Sequence, residues 1–225
     1  MHGAAVASLI AGQDDRAGFS GAAPGAKLFV ARAMSNLPDG RSYTNAVSVL
    51  QALNWLASER VPIVNMSLGG KGDATLALGI AQAIRKGMTV VAAAGNGGPS
   101  AAASFPAALP NVIAVTAVDV ESKLYKDANR GDYVMVAAPG VDVWAPQRDG
   151  SGNYVSGTSF ASAWVSGAVA YAIASATVSD ASTGARLGDA LCRSSRDLGK
   201  GGRDTEYGCG LLQVGALLDA VKTSK

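Results

Sequence analysis

Residues 157–167 read Gly157-Thr158-Ser159-Phe160-Ala161-Ser162-Ala163-Trp164-Val165-Ser166-Gly167, and they open an apolar run that continues to position 176. The run is apolar on all sides rather than along one stripe, which predicts a buried helix rather than a surface one. Ser159 stands in its first turn. There, unpaired backbone N–H groups and the helix dipole favour negative charge, a setting suited to an alkoxide or a tetrahedral oxyanion. Taken alone, the stretch favours a plainer reading, with Ser159 as an N-cap. The rest of the chain shifts that balance.

Working outward, residues 62–66 form a short buried strand ending at Ser67-Leu68-Gly69-Gly70, and residues 88–94 a continuous apolar strand closed by Gly95-Asn96-Gly97-Gly98. Residues 112–118 make another strand, with shorter ones expected at 27–34, 133–137 and 141–145. Between them lie helical patterns. Val6, Leu9 and Ile10 repeat before Gly12; Val49, Leu50, Leu53, Leu56 and Ala57 line one face of 45–58; Asp73 caps a helix that buries Leu76, Ile80, Ala83 and Ile84 and stops at Gly87. Two more helices are expected near 180–193 and 211–221. Alternating strands and helices, with several strands apolar throughout, predict one α/β domain over 1–225: three layers, a mostly parallel sheet with helices on both faces. In such sheets the site lies outside the carboxyl ends of the strands. The 67–70 loop, the 95–98 loop and the Ser159 turn should therefore be neighbours.

Composition excludes several classes. The chain has 225 residues, 48% hydrophobic and 16% charged, with a net charge of +2. That is long enough for a well-buried core and gives no basic patch for nucleic acid. No apolar run reaches the length of a membrane span, and the N-terminus lacks a signal-peptide pattern. His2 is the single histidine, too few for a His-rich metal site, yet the single candidate for imidazole base chemistry. The two cysteines, Cys192 and Cys209, allow one bridge, which their spacing does not prove.

Four blocks carry a resemblance: His2-Gly3-Ala4-Ala5-Val6-Ala7, Asn65-Met66-Ser67-Leu68-Gly69-Gly70, Ala92-Ala93-Ala94-Gly95-Asn96 and Gly157-Thr158-Ser159. In this order and at these spacings they resemble the subtilisin-like serine proteases, and Tyr207-Gly208-Cys209-Gly210-Leu211-Leu212 resembles the start of that family's last helix. The resemblance runs from Met1 to about Val221. It implies peptide-bond hydrolysis through an acyl-enzyme on Ser159, with His2 as general base and then acid, and with Asn96 donating to the oxyanion. Ser67, Leu68 and Gly69 would pair with substrate backbone, and Ala94 and Gly95 would form the facing wall. The base of the specificity pocket would lie near Ser104-Phe105-Pro106. No charged residue stands there, which implies neutral, apolar or aromatic side chains. Residues 39–41 would flank the cleft from the opposite side.

The resemblance implies no cofactor for the chemistry. Relatives often hold structural calcium, but no acidic cluster here specifies a site. It also implies secretion or a periplasmic location, which agrees with a Cys192–Cys209 bridge. Two residues depart from the family pattern, Ala4 for Thr and Ala163 for Pro, and neither change removes a catalytic atom. The larger departure is the triad Asp, which in this family precedes the His on a central strand. The sequence begins one residue before His2, so that acid and its strand are expected on a segment not included in it, and the sheet as given should lack that strand. Asp14 and Asp15 read as solvated loop residues. Two other readings compete: a non-catalytic module that binds extended peptides in the same cleft, and a nucleotide-binding α/β protein. Against the second, Gly69-Gly70-Lys71-Gly72 is not a P-loop and no GxGxxG follows a strand.

Overall fold

The computed structural model describes residues 2–15, 17–38, 42–147, 150–175 and 184–223. Its elements are, in chain order, α1 (His2–Ala11), β1 (Gln13–Asp14), β2 (Phe19–Ser20), β3 (Ser35–Asn36), β4 (Ser42–Tyr43), α2 (Ala46–Ser58), β5 (Ile63–Met66), α3 (Ala74–Arg85), β6 (Thr89–Ala93), β7 (Ile113–Val118), β8 (Val136–Pro139), β9 (Val143–Pro146), β10 (Gly152–Val155), α4 (Thr158–Ser175), α5 (Gly184–Arg193), β11 (Ser195–Arg196), β12 (Leu211–Leu212) and α6 (Val214–Thr223). Local chemistry sets the helix ends. The Asn45 side chain accepts the Ser48 N–H at 2.9 Å to start α2, and Asp73 accepts the Leu76 N–H at 2.7 Å to start α3. Gly87, at φ +92°, turns the chain out of α3 in a conformation that a side chain would resist.

The main sheet has the order β11-β12-β8-β7-β6-β5. All its pairs are parallel except β11 with β12. Register is fixed by Ile63 opposite Thr89, Val91 opposite Ile113, and Val115 opposite Val136. The period-2 alternation of strand side chains divides the core in two. Val90, Ala92, Val112 and Ala114 face α2 and α3, against Val49, Leu53, Leu56 and Ile80. Val91, Ile113, Val115 and Ala117 face the other way, against Ala161, Val165 and Val169 of α4 and Leu217 of α6. The chain is thus a three-layer α/β fold with a mostly parallel sheet.

Helix α4 lies across β5, β6, β7 and β8, with α1 and α6 packed beside it. Contact with α1 is close because Gly167 has no side chain: a Cβ there would lie 2.5 Å from Ala22 Cβ and 3.3 Å from the Ile10 carbonyl oxygen. Ala5, Val6 and Leu9 of α1 join Phe160 and Ala163 in a third cluster, closed by Val143, Ala145 and Val155.

Four expectations are corrected. Segment 27–34 joins no ladder. It keeps a strand's alternation, with Phe29, Ala31 and Ala33 packed on the α2 side and Leu28, Val30, Arg32 and Met34 exposed, but β5 is the sheet's edge and no described strand lies beside the segment. Residues 141–145 contribute β9, which pairs antiparallel with β10 in a separate hairpin because its apolar face packs on α1. The strand expected at 133–137 begins at Val136, and the last helix begins at Val214 because Leu211 and Leu212 extend the sheet as β12. Positions 39–41, 176 and 180–183 lie outside the described residues.

Cys192, at the end of α5, is bonded to Cys209, 17 residues on, with Cα atoms 5.0 Å apart. Converting both to alanine is expected to lower unfolding free energy by about 3 kcal/mol, measured by denaturant titration, since the bridge closes a loop of that order in the unfolded chain.

Candidate active site

Gly157 turns the chain into α4. It has φ +146°, and its N–H donates to the Gly140 carbonyl at 2.7 Å. Thr158 and Ser159 then form the helix's first two residues, both buried. Asn96 follows β6 and reaches this turn directly. Its Oδ1 accepts the Thr158 N–H at 3.0 Å and the Thr158 hydroxyl at 2.9 Å. These two bonds assign the amide's orientation: the oxygen is occupied, and the NH2 donates to no described residue. A Cβ on Gly157 would lie 3.4 Å from Asn96 Nδ2, so this donor sits against the bare turn that leads to Ser159. The Gly95 N–H donates to Thr158 Oγ1 at 3.2 Å, which ties the loop after β6 to the same residue.

The loop after β5 meets α4 from the other side. Ser67 Oγ donates to the Ser159 carbonyl at 2.8 Å and lies 3.0 Å from Ser162 Oγ. Asn65 supports it, donating to Ser67 Oγ at 2.9 Å while its Oδ1 accepts from Ser166 Oγ at 3.1 Å. Leu68 packs on the α2-side core. Gly70 exchanges two backbone hydrogen bonds with Phe105, at 2.9 and 3.0 Å. Ser67, Gly69 and Gly70 on one side and Ala94, Gly95 and Asn96 on the other therefore flank the N-terminus of α4.

His2 is the first residue of α1. Its ring centroid lies 5.4 Å from that of Phe160, which places it beside the residue after Ser159. It keeps an exposed face, and desolvation of the rest of the ring lowers its pKa below the ordinary 6.5. Among the described residues no carboxylate hydrogen-bonds or ion-pairs with it. Ser159 at the helix N-terminus, the His2 imidazole against the neighbouring Phe160 ring and the Asn96 amide donor are gathered at one end of α4, although no hydrogen bond joins His2 to Ser159 among the described residues.

A sequence model of the subtilase family matches residues 1–210. The chain belongs to the subtilase family. The family is one of serine proteases. The chain is similar to the minor extracellular protease Epr of Bacillus subtilis (strain 168), at 31% identity over 216 residues covering 96% of this chain and 32% of Epr. It is 32% identical to subtilisin DY of Bacillus licheniformis over 219 residues, 96% of this chain and 76% of that one. Subtilisin E of Bacillus subtilis (strain 168) is likewise 32% identical, but only 55% of its length is covered. The chain therefore spans less than two thirds of Epr and of subtilisin E. Its fold matches fervidolysin from Fervidobacterium pennivorans, a keratinolytic enzyme related to subtilisin, with TM-score 0.86 at 27% identity, over 100% of this chain and 36% of fervidolysin. The self-cleaved protease domain of PatA matches with TM-score 0.83 at 26% identity, over 98% and 83% of the two chains.

Three residues of this subtilase site escaped the sequence reading. Asn129 is buried, and its side chain accepts the Gly97 N–H at 2.7 Å and donates to the Ala102 carbonyl at 3.1 Å. Its own N–H donates to the Gly95 carbonyl at 3.0 Å. Tyr133 Oη donates to the Ala94 carbonyl at 2.8 Å, and Thr158 orients Asn96 as described. In sequence, Asn129 reads as a turn residue before Arg130-Gly131; its partners lie 27 and 32 positions away. Among the described residues no three His, Cys, Asp or Glu side chains gather as a cation site.

Asn129→Ala leaves the Gly97 N–H and the Ala102 carbonyl without these partners. It is expected to destabilise the fold by about 1–3 kcal/mol in a denaturant titration, the cost of stranding buried polar groups.

Proposed function

We propose that this subtilase is a serine endopeptidase acting on peptide or protein substrates. The observation that carries the reading is the capture of Asn96 Oδ1 by Thr158, which leaves the amide donor beside Ser159. Ser159 Oγ attacks the scissile carbonyl as His2 takes its proton; Asn96 Nδ2 and the Ser159 N–H receive the oxyanion; the C–N bond breaks as His2 returns the proton to the leaving amine. Water then hydrolyses the acyl-enzyme by the same exchange. The extended substrate lies between Ser67-Leu68-Gly69 and Ala94-Gly95 as an added strand. No cofactor enters these steps.

An acid that pairs with His2 would raise activity by holding the ring and stabilising the imidazolium. The open edge of β5, beside the Asn65–Ser67 cluster, is where a strand carrying such an acid would pair. The bridged cysteines and the extracellular relative support action outside the cytoplasm. Among the described residues no helix is long and apolar enough to cross a membrane.

Fluorophosphonate labelling of the 225-residue chain, read by intact mass, tests the reading. One adduct is expected, absent from Ser159→Ala. A folded, unlabelled protein would favour the peptide-binding alternative. Asn96→Ala should slow labelling by about 100- to 1,000-fold, the usual cost of removing one oxyanion donor. Desolvation by burial lowers the pKa of His2 from its ordinary 6.5. The labelling rate should rise with pH along a limb centred below 6.5 and level off above it; a limb above 7 would remove His2 as the base.

A further inference from the structure

We propose that Phe160 is a positioning residue for the imidazole of His2: its ring, carried by the residue that follows Ser159, is the seat that holds the base beside the nucleophile. This rests on the reading of Ser159 as nucleophile and His2 as base. The helix that carries His2 fixes it weakly. His2 is the first residue of α1, and the N–H groups of a helix's first turn have no intrahelical partners. Gly3 follows, and a Cβ built there would meet nothing within 4 Å, so packing does not hold the turn at that position either. Among the described residues the His2 ring makes no hydrogen bond and no ion pair. Its ring contact is with Phe160, at 5.4 Å between centroids and 52° between planes. Tilted pairs with centroids roughly 4.5–7 Å apart are a favourable aromatic geometry.

Phe160 itself is held firmly. It is buried, in one apolar cluster with Ala5, Val6 and Leu9 of α1 and Ala163 of α4, and Val143 and Val155 of the β9–β10 hairpin close that cluster. Its N–H donates to the Gly157 carbonyl at 3.1 Å, within the turn that sets Ser159. One residue thus carries two references: its backbone is registered with the nucleophile and its ring with the base. An aliphatic side chain in its place would keep the cluster apolar but remove the flat face on which the imidazole rests. His2 would then sample the rotamers open to an exposed helix end, and fewer of them would bring a ring nitrogen to Ser159 Oγ. A phenyl ring exchanges no proton, so its part in the reaction runs through His2 alone. It fixes where the imidazole lies and leaves the tautomer to whichever acceptor meets the other ring nitrogen.

His2 is the single histidine, so its imidazole C–H protons give one pair of NMR signals with no assignment to resolve. In the folded 225-residue chain these protons should show nuclear Overhauser contacts to a phenyl ring and shifts away from their unfolded-chain positions, and Phe160→Leu should abolish both. Fluorophosphonate labelling of Ser159, read by intact mass, should slow by about tenfold to 100-fold in Phe160→Leu, the loss that a small misplacement of a catalytic group produces. Phe160→Tyr, which keeps the ring, should restore the rate. Val143→Ala trims the same cluster and leaves both rings, so it should lower stability in a denaturant titration with the labelling rate unchanged. Circular dichroism establishes that each variant folds. A folded wild type without the His2–phenyl contacts, or a folded Phe160→Leu that labels as fast as wild type, overturns the proposal and leaves Ser159 as nucleophile. Equal slowing by Val143→Ala and Phe160→Leu also overturns it, since packing alone would produce that. If the folded wild type takes no label, the reading of Ser159 falls and the positioning role falls with it.

Discussion

Helix α4 is buried through its first three turns, and the arrangement of the other elements follows from that. Val165, Ala168, Val169 and Ala172 are buried with the sheet and α5–α6 core, while Phe160 and Ala163 are buried with α1. Burial of this kind stabilises by roughly 25 cal/mol for each Å² of apolar surface removed from water, so the helix is held where the sheet, α1 and α6 can all reach it. Its N-terminus is then carried to the carboxyl ends of β5 and β6, and the loops that follow those strands close around Ser159. The site is a consequence of where a largely buried helix has to go.

Polar groups refine that placement. Ser67, Ser162, Ser166 and Asn65 make a connected set between β5 and α4, and every bond within it is between 2.8 and 3.1 Å. Inside a packed interior such a set is stabilising only when each member is satisfied, which fixes the register of the helix against the strand. Asn129 does the same for the loop after β6. The two loops are thus braced separately, one by serines of α4 and one by an asparagine from the segment after β7, and neither brace depends on Ser159 Oγ.

Much of this was legible in the sequence because it is local. The strands β6 and β7 are buried at every position, as continuous apolar runs require, and the cap read at Asp73 stands one residue before its helix. The three site stretches could be read as neighbours because each follows a strand or opens the buried helix. What was not legible depends on distant partners. Asn129, Tyr133 and Thr158 look like turn, core and lead-in residues, and their importance comes from atoms 27 to 63 positions away. Segment 27–34 has strand periodicity, but pairing is a property of neighbours and not of the segment itself.

The contact at Gly167 joins two parts of the site that do not touch there. A side chain at that glycine, eight positions beyond Ser159, would press on Ala22 and then on the Ile10 carbonyl of α1, and α1 is the rod whose other end carries His2. The two helices act as a pair of calipers pinned at Gly167. A change of one methyl group at the pin would open the jaws, and the gap between imidazole and hydroxyl would be reset from a place that neither substrate nor solvent reaches.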